Sequence, residues 1–117
     1  AVFDRYAAAL APVAVSHGLT LPSVPADRAQ AFHMYAVLLA DRATRDRALA
    51  SMQAAGVHAT FHYVPLHSSP YGQQVADRPE PCPVTDEISG RLLRLPFYTG
   101  LTEQDSARVV DALLGSL

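Results

Sequence analysis

Residues 61–72, FHYVPLHSSPYG, place two histidines, two tyrosines, two serines and two prolines within a dozen positions. Imidazole exchanges a proton near neutral pH and can ligate a metal, while phenols and hydroxyls offer single hydrogen bonds. Three chemistries are therefore open to this stretch: metal ligation, nucleophilic catalysis, and binding of a polar ligand that also has apolar faces.

The spacing disfavours the first two. On an extended strand His58 and His62 share a face, but four residues at ~3.3 Å rise separate them by about 13 Å. Nitrogens on one zinc each lie ~2.0–2.1 Å from the ion. His62 and His67 can approach across a turn at Pro65, yet no third ligand has a place, so no metal is expected. Ser68 and Ser69 lack a G-x-S-x-G elbow and have no acidic residue nearby in sequence to orient a base. They read as turn chemistry, with Gly72 supplying a positive φ. Cys82 lies between Pro81 and Pro83 with no electropositive neighbour, and reads as a passive thiol. Two readings remain open for 61–72: a ligand-binding loop, or a connection in which Phe61 and Tyr63 are core and His62 lies on a strand surface.

Elements must position these side chains, and the pattern predicts them. Val2, Phe3, Tyr6 and Leu10 fall at helical spacing, so residues 1–18 read as a helical lead-in with an interruption at Pro12 and a cap at Gly18. No capping residue precedes Ala1, which predicts a piece of a longer polypeptide. Pro22 and Pro25 make a loop. AFHMYAVLL, residues 31–39, reads as a mostly buried strand, and residues 43–56 as a helix with Leu49, Met52 and Ala55 on one face, arginines outside and Gly56 capping. Residues 57–64 read as a second strand, with Val57, Ala59, Phe61 and Tyr63 on one side. Residues 65–83 read as an irregular loop. Thr85 is expected to cap a helix that passes into a short strand before Pro96, and Thr102 with Asp105 to start a last helix burying Val109, Val110, Leu113 and Leu114. The fold class is α+β: a small, mostly antiparallel or mixed sheet of about three strands covered by helices on one face, leaving the second face open for a partner.

Composition sets outer limits. A chain of 117 residues, half of them hydrophobic, makes one modest core. A net charge of -2 with scattered arginines gives no basic stripe for nucleic acid, and no apolar run approaches a membrane span. The single cysteine excludes an internal disulfide and fits a reducing, cytoplasmic setting. All nine basic residues are arginine, so a lysine Schiff base must come from elsewhere.

HMYAVLL, a helix ending AAGV, ATFHYVPLHSSPYG and EISGRLLRLPFYTGLTEQD, in that order, resemble the C-terminal small domain of DegT/StrS-type sugar aminotransferases, which depend on pyridoxal phosphate. The resemblance runs over nearly the whole chain and over about the last third of such an enzyme. It implies a fold-type I transaminase, usually a homodimer, that moves an amino group from glutamate to a nucleotide-linked 4-keto-6-deoxy sugar. It implies a missing N-terminal large domain holding the cofactor on a lysine, and a fragment inactive alone. By position it puts His62 closest to cofactor and sugar, Tyr63 beside it, and His67, Ser68 and Tyr71 on a loop closing over the nucleotide sugar. Arg91 or Arg94 is the candidate for a bidentate grip on the amino acid's carboxylate. The alternative is a free-standing α+β binding or dimerisation module without catalysis.

Overall fold

Where apolar residues recur at helical spacing the chain does coil, and the computed structural model, which describes residues 1–78 and 80–117, shows five α-helices. Helix α1 spans Val2–Leu10 and buries Phe3, Tyr6 and Leu10. Residues 11–18 continue as turns, and Gly18 ends them at φ 63°. Helix α2 spans Arg42–Ala54, started by Asp41, whose carboxylate accepts the Thr44 N–H at 2.7 Å. This bond to an otherwise orphaned amide holds the Asp41 carboxyl below its ordinary pKa. Helix α3 spans Pro70–Val75, α4 spans Pro83–Arg91, and α5 spans Glu103–Leu114 behind its Thr102 cap. Helix α5 buries Val109, Val110 and Leu113, as the pattern predicts, while Leu114 is half-buried.

Two strands, β1 (Tyr35–Leu38) and β2 (Leu92–Leu95), pair antiparallel with Tyr35 opposite Leu95 and Val37 opposite Leu93. Those four side chains are buried and join Phe3, Tyr6, Leu10, Met52, Val110 and Leu113 in one core. Ala36, Leu38, Leu92 and Arg94 alternate to the other face and are half-buried.

The expected three-stranded sheet is therefore a two-stranded one. Residues 31–34 are not strand: Phe32 takes φ 49°, which turns the chain, and its ring packs edge-on to Phe3 at 5.4 Å. On the partner side Pro96 follows Leu95 and has no N–H to extend the ladder. Residues 57–64 do not form a strand either. They contribute one bridge, in which Thr60 N–H donates to Arg94 O at 3.0 Å and Arg94 N–H to Thr60 O at 2.7 Å. Their beginning is tied to α2 by Val57 N–H on Met52 O, and Pro65 ends them. A matching bridge, Thr20 to Leu38, widens the other edge.

The 65–83 loop is also more ordered than its prolines imply, although Pro79 lies outside the described residues. Leu66–Ser68 makes a 3-10 turn, and Ser69 caps α3 by accepting the Gly72 N–H at 2.9 Å. Gly72 has no positive φ; a Cβ there would overlap the Leu66 carbonyl oxygen, so close approach explains the glycine. Helix α4 starts not at Thr85 but at Pro83, whose fixed φ suits the first helical position.

Candidate functional site

Residues 59–68 stand between two helices as a narrow rib. Gly56 at φ 74° turns the chain out of α2, the Thr60 bridge pins it to β2, and successive side chains then alternate. Phe61 lies towards α2, with the Arg45 guanidinium 5.7 Å from its ring centre. His62 lies in a cleft against α4, its ring meeting that of Tyr63 edge-on at 5.0 Å. Helix α4 presents Val84 and Ile88 at i, i+4 spacing, and Leu92 continues that line on the second face of the sheet. These three oppose His62, Tyr63 and Leu66 across a cleft of about 470 Å³. A second cleft, about 720 Å³, lies on the other side of the rib between Arg42, Arg45 and Asp46 of α2 and Asp86 and Ser89 of α4. Tyr63, Val64 and Pro65 border both.

The rib is apolar and uncovered. Tyr63 is 78% exposed, Leu66 83% and Val84 72%, with Phe61 and Val64 about half exposed. Against that surface His62 is the exception: its Nδ1 is buried and has no hydrogen-bond partner among the described residues. A buried polar atom without a partner costs about 1–3 kcal/mol, so such an atom calls for a water or a ligand group to complete it. The charges lining the second cleft balance, Arg42 and Arg45 against Asp46 and Asp86, with Asp46 paired to Arg45 at 2.8 Å.

The structure brings some of the expected residues together and separates others. His62 and Tyr63 share the smaller cleft, while Tyr63 and Ser68 share the larger one. His67 turns its Nε2 to Asp86 and so fastens the 3-10 turn to α4. The Ser68 hydroxyl donates to Pro65 O at 3.3 Å. Tyr71 projects from α3, 72% exposed, and borders neither cleft. Arg91 is committed within the chain: Nε donates to Leu39 O and Nη1 to Glu87, each at 2.7 Å. The Arg94 side chain, half-buried on the open sheet face, makes no hydrogen bond or ion pair among the described residues. Phe61 and Tyr63, read in one alternative as core, are exposed, which removes that alternative for both.

Two contributors escape the sequence pattern. Arg45 was expected outside with the other arginines, yet it is 6% exposed. Its position one turn before Ala48 and Leu49, on the apolar stripe that continues to Met52, is the signal that could have found it. Asp86 holds His67, a contact between residues 19 apart that no local pattern shows. No group of three or more His, Cys, Asp or Glu side chains among the described residues is placed to hold a metal. No helix there is long and apolar enough to cross a membrane.

Comparison with known proteins matches this geometry to a family. The dTDP-3-amino-3,4,6-trideoxy-alpha-D-glucose transaminase of Micromonospora megalomicea is 27% identical over 113 residues, 97% of this chain and 30% of that protein. The UDP-N-acetyl-3-dehydro-alpha-D-glucosamine 3-aminotransferase of Acidithiobacillus ferrooxidans is 28% identical over 100 residues, 85% of this chain and 26% of that protein. Among solved structures, S. venezuelae DesV in complex with a ketimine intermediate superposes with a TM-score of 0.82 at 26% identity, over 98% of this chain and 30% of DesV. The chain thus spans less than a third of the length of the proteins it matches. Residues 1–114 match the model of one family, and with that coverage the rib, its clefts and the fold that carries them belong to the DegT/DnrJ/EryC1/StrS aminotransferase family.

Proposed function

We propose that this chain is the substrate-side wall of a pyridoxal-phosphate-dependent sugar aminotransferase, with His62 and Tyr63 meeting a nucleotide-linked keto sugar. The observation that carries the reading is the buried, unpartnered Nδ1 of His62 beside an uncovered aromatic and aliphatic surface. A sugar ring offers the matching chemistry, since its C–H faces pack on rings and its hydroxyls satisfy a single buried nitrogen.

The residues suit a wall and not an anchor. The sequence holds no lysine, so no side-chain amine of this chain can bind the cofactor's aldehyde. When bound on a partner domain, the cofactor supplies an electron sink that accepts the amino group from glutamate and passes it to the sugar ketone. This chain's part is to orient and to exclude water: His62 fixes one polar group of the sugar, the Tyr63 ring covers an apolar face, and Leu66 and Val84 dry the edge. Arg94, whose guanidinium has no partner among the described residues, is the better placed of the two arginines for a carboxylate, because Arg91 would have to give up Leu39 O and Glu87 first. A large cofactor-binding domain and a homodimer belong to the same proposal, as does a closing role for His67, Ser68 and Tyr71.

The resemblance implies a 4-keto sugar, whereas the two relatives named above carry the amino group at carbon 3 by name. Both ketones therefore enter the test. In the full-length enzyme, His62→Ala should lower kcat/KM for the 3-keto or 4-keto nucleotide sugar by about tenfold to a hundredfold while cofactor absorbance is retained. Unchanged kinetics with both sugars would remove His62 from the site. The isolated chain mixed with pyridoxal phosphate should develop no aldimine absorbance, and a clear band would overturn the wall reading.

A further inference from the structure

The rib is held on its α2 side by one buried cation. Arg45 donates Nε to Asp46 at 2.8 Å and Nη1 to the carbonyls of Leu92 at 3.3 Å and Ser89 at 3.5 Å, at the junction where α4 passes into β2. The same guanidinium lies 5.7 Å from the Phe61 ring centre, within cation–π range. Thus one planar side chain touches both Phe61, the residue before His62, and the junction that supplies Leu92 and Ser89 to the wall opposite His62. Burying a charge is costly unless every part of it has a partner, so a 6% exposed arginine in this arrangement resists displacement.

We propose that Arg45, acting through Phe61, is a positioning residue that sets the spacing between the His62 rib and the α4–β2 wall. Side chains along an extended segment alternate, so anchoring the Phe61 ring on α2 directs the next side chain, His62, to the opposite cleft. The junction contacts of Arg45 fix the far wall in the same frame. Ligand fit at His62 therefore depends on a residue that borders only the other cleft. This inference rests on the reading of His62 given under Proposed function.

The test uses the full-length, cofactor-loaded enzyme, with the sugar-bearing nucleotides dTDP-glucose and UDP-N-acetylglucosamine as probes in titration calorimetry, since His62 is read as meeting the sugar, and a thermal melt of each variant. Phe61→Leu keeps bulk but removes the ring over the guanidinium, at a residue exposed enough that the fold does not depend on it. It should weaken the preferred nucleotide by about threefold to fivefold with little change in Tm, and Phe61→Tyr, which restores a ring, should return the affinity. Arg45→Lys keeps the charge but loses the flat fork, and should weaken the nucleotide at least as much. A purely structural role would lower Tm and leave Kd unchanged, and that result would overturn the proposal even if Arg45→Lys failed to fold, because Phe61→Leu decides alone. If His62→Ala weakens nucleotide binding and Phe61→Leu does not, the positioning role is wrong and the His62 reading stands. If His62→Ala also leaves both dissociation constants unchanged, the His62 reading is wrong and this inference falls with it.

Discussion

Replacing Tyr6 by phenylalanine removes one oxygen from the best-buried aromatic in the chain. Tyr6 is 0% exposed, its ring lies 5.2 Å from Tyr35, and its hydroxyl donates to Pro96 O at 2.7 Å. Phenylalanine keeps the packing and leaves that carbonyl, at the end of β2, without its donor. The expected cost is about 1–2 kcal/mol. Unfolding entropy of about 2.1 cal/mol/K per residue gives ~0.25 kcal/mol/K for a chain of 117 residues, so Tm should fall by about 4–8 °C. A second readout is independent of the first. Burial, with help from Tyr98 and against a smaller opposing effect of Arg5, pushes the Tyr6 phenol from its ordinary 10.0 up to about 12. The folded state thus keeps this proton where the unfolded chain loses it, so the contribution is whole below pH 10 and shrinks as pH rises towards 12. Thermal melts followed by circular dichroism from neutral to strongly alkaline pH should show a gap between wild type and Tyr6→Phe that narrows above pH 10. Part of the alkaline loss should persist in the variant, because burial raises the Tyr35 phenol as well. A variant melting within about 1 °C of wild type at neutral pH, with a parallel alkaline decline, would refute the claim that this hydroxyl ties α1 to the sheet.

Two further predictions follow from local geometry. Asp41→Ala should lower Tm by a few degrees at neutral pH by uncapping α2, whereas Asp41→Asn should be nearly neutral. Because the Thr44 amide lowers the Asp41 pKa below 3.8, that contribution is present above this value and lost as pH falls through and below it, and an acid melt in which wild type and Asp41→Ala stay equally far apart would contradict the cap. Gly72→Ala would gain helix propensity of about 0.5–1 kcal/mol in an open helix, but here the new methyl meets the Leu66 carbonyl, which is backbone and cannot swing aside. Limited proteolysis should therefore cut residues 66–75 faster in Gly72→Ala, and unchanged cleavage would show that the turn yields freely.

The parts of this protein that local chemistry specifies were legible before any coordinates. Helical spacing identified Phe3, Tyr6 and Leu10 and the buried face of α5, because a 3.6-residue period is written directly in the chain. Thr102 and the glycines at 18 and 56 were equally plain, since caps and positive φ are one-residue requirements. The residues of the rib stand out in the sequence as a group, for they concentrate ring and hydroxyl chemistry that no core needs.

What a residue touches outside its own element was not legible. The third strand failed because alternation in 57–64 shows that a segment can pair, whereas the edge it needs is only four residues long and closes at Pro96. Gly72 was read as a turn glycine when its constraint comes from Leu66 O, a close approach and not a dihedral. The sequence by itself determined the family and the α+β class. Only the tertiary structure decided that Arg45 is inside, that His67 is occupied by Asp86, and that Arg91 is committed while Arg94 has no side-chain partner among the described residues. The physical reason is that a side chain's type sets which bonds it can form, but burial and competition among distant partners decide which of them it does form.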